Sequence, residues 1–244
     1  MRINEFTNLD QDYVEGNIEY HNQLSPNAWK DEKMLPDVRK KLLEIAQAFA
    51  KSLNVPNFKI YDVVLAGSMV NYNYTKFSDF DIHLVTSYKD LKCDNLAEEF
   101  YTAKKTVWNQ YHDITINGHE AELYVEDLDQ PPVSGGIYSI LDQRWIKKPI
   151  YSKPKINDHA INAKVKDLIH QINTAIKQGD DQDDFHRIIE KIKKMRQSGL
   201  DRAGEYSTEN LSFKILRNLG YIKKLYDAYN KQQDQDLSLD KNAS

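Results

Sequence analysis

Hydrophobic residues recur along this chain with two periods, and the passage from one to the other divides it. Val63-Val64-Leu65-Ala66 is an unbroken apolar run of strand length, ended by Gly67-Ser68. Further on, Phe80, Ile82 and Leu84 alternate with Asp79, Asp81 and His83, the period of a strand with one buried face. These runs predict strands over Phe58–Leu65 and Phe80–Val85, with a short helix over Met69–Thr75 between them. Upstream, Val38, Leu42, Ile45, Ala46, Phe49 and Leu53 recur at helical spacing over Asp37–Leu53. Pro36 fits the first helical position there, and Pro56 stops the run. Asn95–Tyr111 predicts a second helix with Leu96, Phe100, Ala103, Val107 and Tyr111 inward. Two alternating runs over 113–125 meet at Asn117-Gly118, a pair that accepts positive φ, and so predict a hairpin. A Pro- and Gly-bearing loop over 130–136 leads to one more strand, Ile137–Leu141.

Beyond Pro149 only the helical period remains. Ala160–Lys177, Asp183–Gln197 and Thr208–Lys231 each carry an apolar stripe, separated by Gly179 and by Gly199–Gly204. Ser207 is the expected N-cap of the last helix, with Glu209 in its first turn. The fold class is therefore α/β (α+β): a head with a small mixed sheet flanked by helices, then a C-terminal helical bundle. The expected divisions are an N-terminal arm (1–35), the head (36–150), the helical domain (151–231) and a polar, frayed tail (232–244).

Composition adds bounds. Hydrophobic residues make up 40% and charged residues 29%, ordinary for a globular chain. No apolar run approaches a membrane span, and MRINEFTNLDQD lacks the form of a signal peptide. The single Cys93 excludes an internal disulfide framework, so the expected setting is cytoplasmic. A net charge of −4 argues against general nucleic-acid binding.

The chemistry concentrates where the alternation does. Asp79 and Asp81 share one side of their strand, their Cα atoms about 6–7 Å apart. Both can reach one hard cation; unpaired, they would repel. Gly67-Ser68, ten residues, then Asp79-Phe80-Asp81 on a strand resembles the signature of the polymerase-beta-type nucleotidyltransferase superfamily, in its minimal, adenylyltransferase-like form. The resemblance covers about residues 58 to 127. Many minimal members follow Gly-Ser with Ala-Arg-Gly; here Met69, Val70 and Asn71 stand instead, which leaves the acceptor open.

The resemblance implies a third carboxylate on a neighbouring strand. Glu122, flanked by Ala121 and Leu123, fits; Glu120 is the reserve. It further implies two Mg²⁺ or Mn²⁺ ions held by Asp79, Asp81 and Glu122, and a nucleoside triphosphate (ATP by default) cradled by Gly67 and Ser68. The activity implied is transfer of a nucleoside monophosphate to a hydroxyl of a protein, an RNA or a small molecule, with pyrophosphate released. In related enzymes the helical domain closes the nucleotide cleft, which makes Lys191, Lys194, Lys214 and Arg217 candidate triphosphate ligands. Segments Gly204–Lys214, Leu216–Gly220 and Met1–Phe6 are similar to nucleotidyltransferase-like proteins of large tailed bacteriophages, which implies an infected bacterial cytoplasm.

Plainer readings compete. An Asp-x-Asp alone is more often a solvated strand face, His83 a tolerated polar position, and Ser134-Gly135-Gly136 a turn rather than a phosphate loop. Cys93 has no ligand set near it in sequence and reads as inert. The chain as a whole reads alternatively as a non-catalytic module of antitoxin or scaffold type, or as an RNA-binding protein using its basic helices.

Overall fold

The computed structural model describes residues 12–91, 96–130, 132, 134–179 and 182–239. Cys93, Asn95 and the Met1–Phe6 segment lie outside the described residues. The chain forms two compact units, one of residues 19–153 and one that joins the residues up to 18 to those from 154 on. The arm expected over 1–35 is thus divided between them.

In the sheet unit, a small hairpin of β1 (Trp29–Lys30) and β2 (Lys33–Met34) precedes helix α1 (Pro36–Ser52). Pro36 opens α1 where a missing N–H costs nothing, Asp37 faces its positive end, and Lys51 its negative end. A mixed sheet follows, built from β3 (Asp62–Ala66), β4 (Phe80–Thr86), β5 (Thr115–Ile116), β6 (His119–Asp127), β7 (Ile137–Ser139) and β8 (Arg144–Lys147). Its order is β5-β6-β4-β3-β7-β8, and only the β4–β6 pairing is parallel. Between those two strands runs α2 (Ala97–Tyr111), the crossover that a parallel pair requires.

One face of the sheet is the core. Leu65, Phe80, Ile82, Leu84 and Leu123 are fully buried there with Leu42 and Phe49 of α1. Each such side chain contributes about 1.5–3 kcal/mol. The Asn117-Gly118 turn has φ of +50° and +83°, as a two-residue hairpin needs.

Several expectations change. The first strand begins at Asp62, not Phe58, and only Ser68–Val70 of the expected Met69–Thr75 helix is helical, as a single 3₁₀ turn. Helix α2 turns a different side inward: Ala97 and Tyr101 are buried, whereas Leu96, Val107 and Tyr111 are 52%, 54% and 78% exposed. The stripe through Tyr101 and Trp108 wins because Trp108 packs on Phe49 and the next residue, Asn109, bonds the sheet. Strand β8 and the β1–β2 hairpin carry too few residues to show a period.

The helical unit contains α3 (Asp158–Gln178), α4 (Gln182–Ala203), α5 (Thr208–Asn218) and α6 (Tyr221–Leu237). Its core is made of Ile161, Val165, Leu168, Ile172, Phe185, Ile189, Ile192, Ile215 and Leu216. Val14 belongs to it too, tied in where the Asn162 carboxamide accepts from the Tyr13 amide at 2.8 Å. Ser207 caps α5 by accepting from the Asn210 amide. The single helix expected over Thr208–Lys231 is broken, because Gly220 takes φ +77°. Gly199, expected in a linker, lies inside α4, and α6 extends into the expected tail as far as Leu237. Among the described residues no helix is long and apolar enough to cross a membrane.

Candidate active site

The face of the sheet opposite the core carries the candidate chemistry. Strand β4 presents Asp81, His83 and Val85 there; in the parallel register their partners on β6 are Glu122, Tyr124 and Glu126. Asp81 and Glu122 are therefore direct neighbours across one strand spacing, about 4.8 Å between backbones. Both are half-buried, as is Asp79, one residue before β4 begins. Glu120, the reserve, is exposed and pairs with Thr115 at the hairpin end. On the same face Val64, Val85 and Ile137 form a small apolar patch.

Gly67 follows β3, where Ala66 is the ladder partner of Asp81. Its φ of +75° and ψ of −160° suit only glycine, and a Cβ there would stand 1.8 Å from Oδ2 of Asp81. The Asp81 carboxylate thus lies directly against the glycine backbone. The turn is held from several sides. Asn71 Nδ2 donates to the Gly67 carbonyl at 2.6 Å, and Trp29 Nε1 donates to the Met69 carbonyl at 2.7 Å. Ser68 Oγ donates to Ser78 Oγ at 2.8 Å, which also accepts from the Thr75 amide. The Ser78 carbonyl in turn accepts from His119 Nδ1 at 2.7 Å, fixing the chain just ahead of Asp79.

Ser134 belongs to this turn, which its sequence context did not suggest. Its Oγ accepts from the Gly67 amide at 3.2 Å, and Lys147 Nζ donates to its carbonyl at 2.7 Å. A Cβ on Gly135 would meet Asn71 Oδ1 at 2.7 Å, and one on Gly136 would meet the Val70 carbonyl at 2.2 Å. The two glycines let the loop lie against the Gly67–Asn71 turn. Sequence alone gave only a Gly-Gly pair, with nothing to say which backbone it would approach.

Glu122 is held by Tyr124, whose hydroxyl donates to Oε2 at 2.7 Å. The Tyr124 ring stacks on His83, centroids 4.6 Å apart, and Lys105 Nζ of α2 lies 3.8 Å from its centre. His83 Nδ1 is 2.8 Å from Glu126 Oε1. Burial, and then the charges of Asp81 and Glu122, push the Tyr124 hydroxyl far above its ordinary pKa, so it remains a donor at all physiological pH. Burial pulls the Lys105 ammonium down, while Glu122, Glu126 and Asp81 act in the opposite sense. Strand β6 is fixed at its outer edge by Asn109, whose carboxamide donates to the Leu123 carbonyl at 3.2 Å and accepts from the Leu123 amide at 3.1 Å. The Tyr88 hydroxyl donates to the Val125 carbonyl at 2.9 Å. Lys105 and Asn109 carried no motif; they emerge only once α2 is rotated onto its observed face.

The donor set of Asp79, Asp81 and Glu122 is all oxygen, the chemistry of a hard divalent cation. The close approach that Gly67 permits at Asp81 fits such a site too. As the side chains stand, Glu122 is bonded to Tyr124 and Asp81 lies on Gly67. Among the described residues no three His, Cys, Asp or Glu side chains are gathered into a ligand set.

The cationic candidates lie in the helical unit. Lys191 and Lys194 are on α4, Lys214 and Arg217 on α5. Lys191 Nζ donates to Gln171 Oε1 at 2.7 Å. Arg217 is near enough to Arg196, which stacks on Phe213 at 4.3 Å, for the two guanidinium groups to repel.

No family model and no curated protein matches this chain. Among solved structures it is similar to a STING-associated CdnE c-di-GMP synthase from Capnocytophaga granulosa, at 12% identity over 83% of this chain and 84% of that one, with a TM-score of 0.20. At that score the likeness fixes neither fold nor function.

Proposed function

We propose that this protein is a metal-dependent nucleotidyltransferase, moving a nucleoside monophosphate, AMP by default, from a nucleoside triphosphate to a hydroxyl acceptor. One observation carries the reading: Asp81 and Glu122 are ladder partners on adjacent parallel strands, with Gly67 backed against Asp81. The resemblance of Gly67-Ser68 and Asp79-Phe80-Asp81 to the superfamily signature agrees with it.

In this reading Asp79, Asp81 and Glu122 hold Mg²⁺ or Mn²⁺. The ions would neutralise the triphosphate and raise the nucleophilicity of the acceptor hydroxyl. The chain's own groups do the rest. The hydroxyl oxygen forms a bond to the α-phosphorus and gives up its proton to solvent, and the bond to the bridging oxygen breaks to release pyrophosphate. Gly67 gives the phosphates an approach that no side chain obstructs, and its amide, with the Ser68 hydroxyl, exchanges an internal partner for a phosphate oxygen. Tyr124 and Asn109 fix Glu122 and its strand. One or two of Lys191, Lys194, Lys214 and Arg217 are the proposed ligands of the outer phosphates.

The bond that Glu122 makes to Tyr124 favours a second reading, a non-catalytic nucleotidyltransferase-like module of antitoxin or scaffold type. Pyrophosphate release separates the two. Each ribonucleoside triphosphate is supplied with Mg²⁺ or Mn²⁺, with and without bacterial lysate, beside Asp81→Asn. Metal-dependent release that Asp81→Asn abolishes is expected. Folded protein that binds a triphosphate by calorimetry yet releases no pyrophosphate would instead favour the module.

A further inference from the structure

Lys105 is half-buried on α2 and takes part in no ion pair or hydrogen bond among the described residues. Its ammonium rests on the Tyr124 ring, 3.8 Å from the centroid, and that ring's hydroxyl is bonded to Glu122. Asp81, Glu122 and Glu126, on two neighbouring strands, act on it through space. A desolvated ammonium is costly unless compensated. Three carboxylates on adjacent strands are costly for the opposite reason. Placing the one beside the others offsets both costs, with the ring adding cation–π attraction. Surface lysines of this chain, such as Lys89 with Asp129, reach a carboxylate directly; Lys105 serves a group of them without bonding any.

We propose that Lys105 is the resident counter-cation of the Asp81–Glu122–Glu126 cluster, seated on Tyr124, and that a divalent cation bound through Asp81 competes with it for the same carboxylate charge. This rests on the metal-site reading above and adds a positioning role for Lys105 that the superfamily signature does not contain. Lys105 stabilises the metal-free fold, and its charge weakens metal binding, so that metal and triphosphate, which brings negative charge, are favoured to enter together.

The test is Mn²⁺ titration of the full chain by calorimetry, without nucleotide, on wild type, Lys105→Gln, Lys105→Arg and Asp81→Asn. Wild type is expected to bind and Asp81→Asn to lose binding. Lys105→Gln should bind about tenfold more tightly, because a like charge is removed at short range; Lys105→Arg should match wild type. Melting in EDTA should be lower for Lys105→Gln than for wild type, with the gap closing in saturating Mn²⁺. Should Lys105→Gln not fold in EDTA, Lys105→Met, which keeps the alkyl stem on Tyr124, takes its place in the titration. Asp81-dependent binding in wild type that neither neutral variant tightens overturns the role of Lys105 alone. Absence of Asp81-dependent binding in wild type and the neutral variant overturns the metal-site reading, and this inference with it.

Discussion

A Cβ on Gly67 would stand 1.8 Å from Oδ2 of Asp81. The glycine follows β3 and the carboxylate stands on the neighbouring β4, and the space that one lacks is filled by the other. With φ at +75° and ψ at −160°, alanine would also be strained by about 1–3 kcal/mol. Gly67→Ala should therefore lower the melting temperature and displace Asp81. If the site transfers nucleotides, pyrophosphate release should fall about a hundredfold or more, as misplacement by an ångström can do. A variant with wild-type stability and activity would mean that Asp81 does not rely on this contact.

Tyr124 is predicted to act through Glu122. Tyr124→Phe keeps the ring against His83 and Lys105 but deletes the 2.7 Å bond to Glu122. The cost in stability should be about 1 kcal/mol, one net hydrogen bond. Tyr124→Ala removes the ring as well and should cost about 3 kcal/mol. Comparing the two by urea denaturation separates hydrogen bond from stack. In the catalytic reading Tyr124→Phe alters kcat with little change in the KM for triphosphate, since Glu122 rather than the phosphate site is disturbed. Equal losses in both variants would assign the whole effect to the hydroxyl and its bond to Glu122.

What the sequence disclosed follows from which features are local. That Asp81 and Glu122 lie on one side of the sheet was legible because a strand has a period of two, and the apolar residues beside them face the core. The Asn117-Gly118 turn was legible because both residues tolerate positive φ. The orientation of α2 was not. Its two apolar stripes lie about 100° apart on the helix, and the choice between them is made by Trp108 meeting Phe49 and Asn109 meeting Leu123, contacts distant in sequence. Lys105 and the Ser134 loop were hidden for the same reason. The break at Gly220 was masked because apolar residues continue at helical spacing on either side of it.

Gly199 is a glycine in mid-helix that packing requires. A Cβ would come within 2.6 Å of Glu209 Cβ and 2.7 Å of Ser207 Oγ, the cap of α5. Helix propensity alone would have Gly199→Ala stabilise α4 by about 1 kcal/mol. Overpacking should outweigh this, for a net loss of about 1–2 kcal/mol in urea denaturation. A measured gain would show that α5 can move aside at no cost.

Glu209 gives the helical unit a predicted acid sensitivity. Its carboxylate, 14% exposed, accepts from Lys164 at 3.1 Å and from Arg202 at 2.7 Å. Burial raises its pKa. Its own backbone amide and these two cations outweigh burial, so the net position is below the ordinary glutamate value of 4.5. A carboxylate whose pKa is depressed on folding adds stability above its unfolded pKa, and that stability is lost as pH falls through the folded one. The expected loss therefore begins near pH 4.5 and deepens below it. Glu209→Gln should be less stable than wild type at pH 7, and the two should converge as pH falls toward the folded pKa of Glu209. Thermal melts of both proteins between pH 7 and pH 3 measure this. A gap that stays constant across that range would mean that the carboxylate contributes by packing and hydrogen bonding alone, with its charge irrelevant to the stability of α5 against α3 and α4.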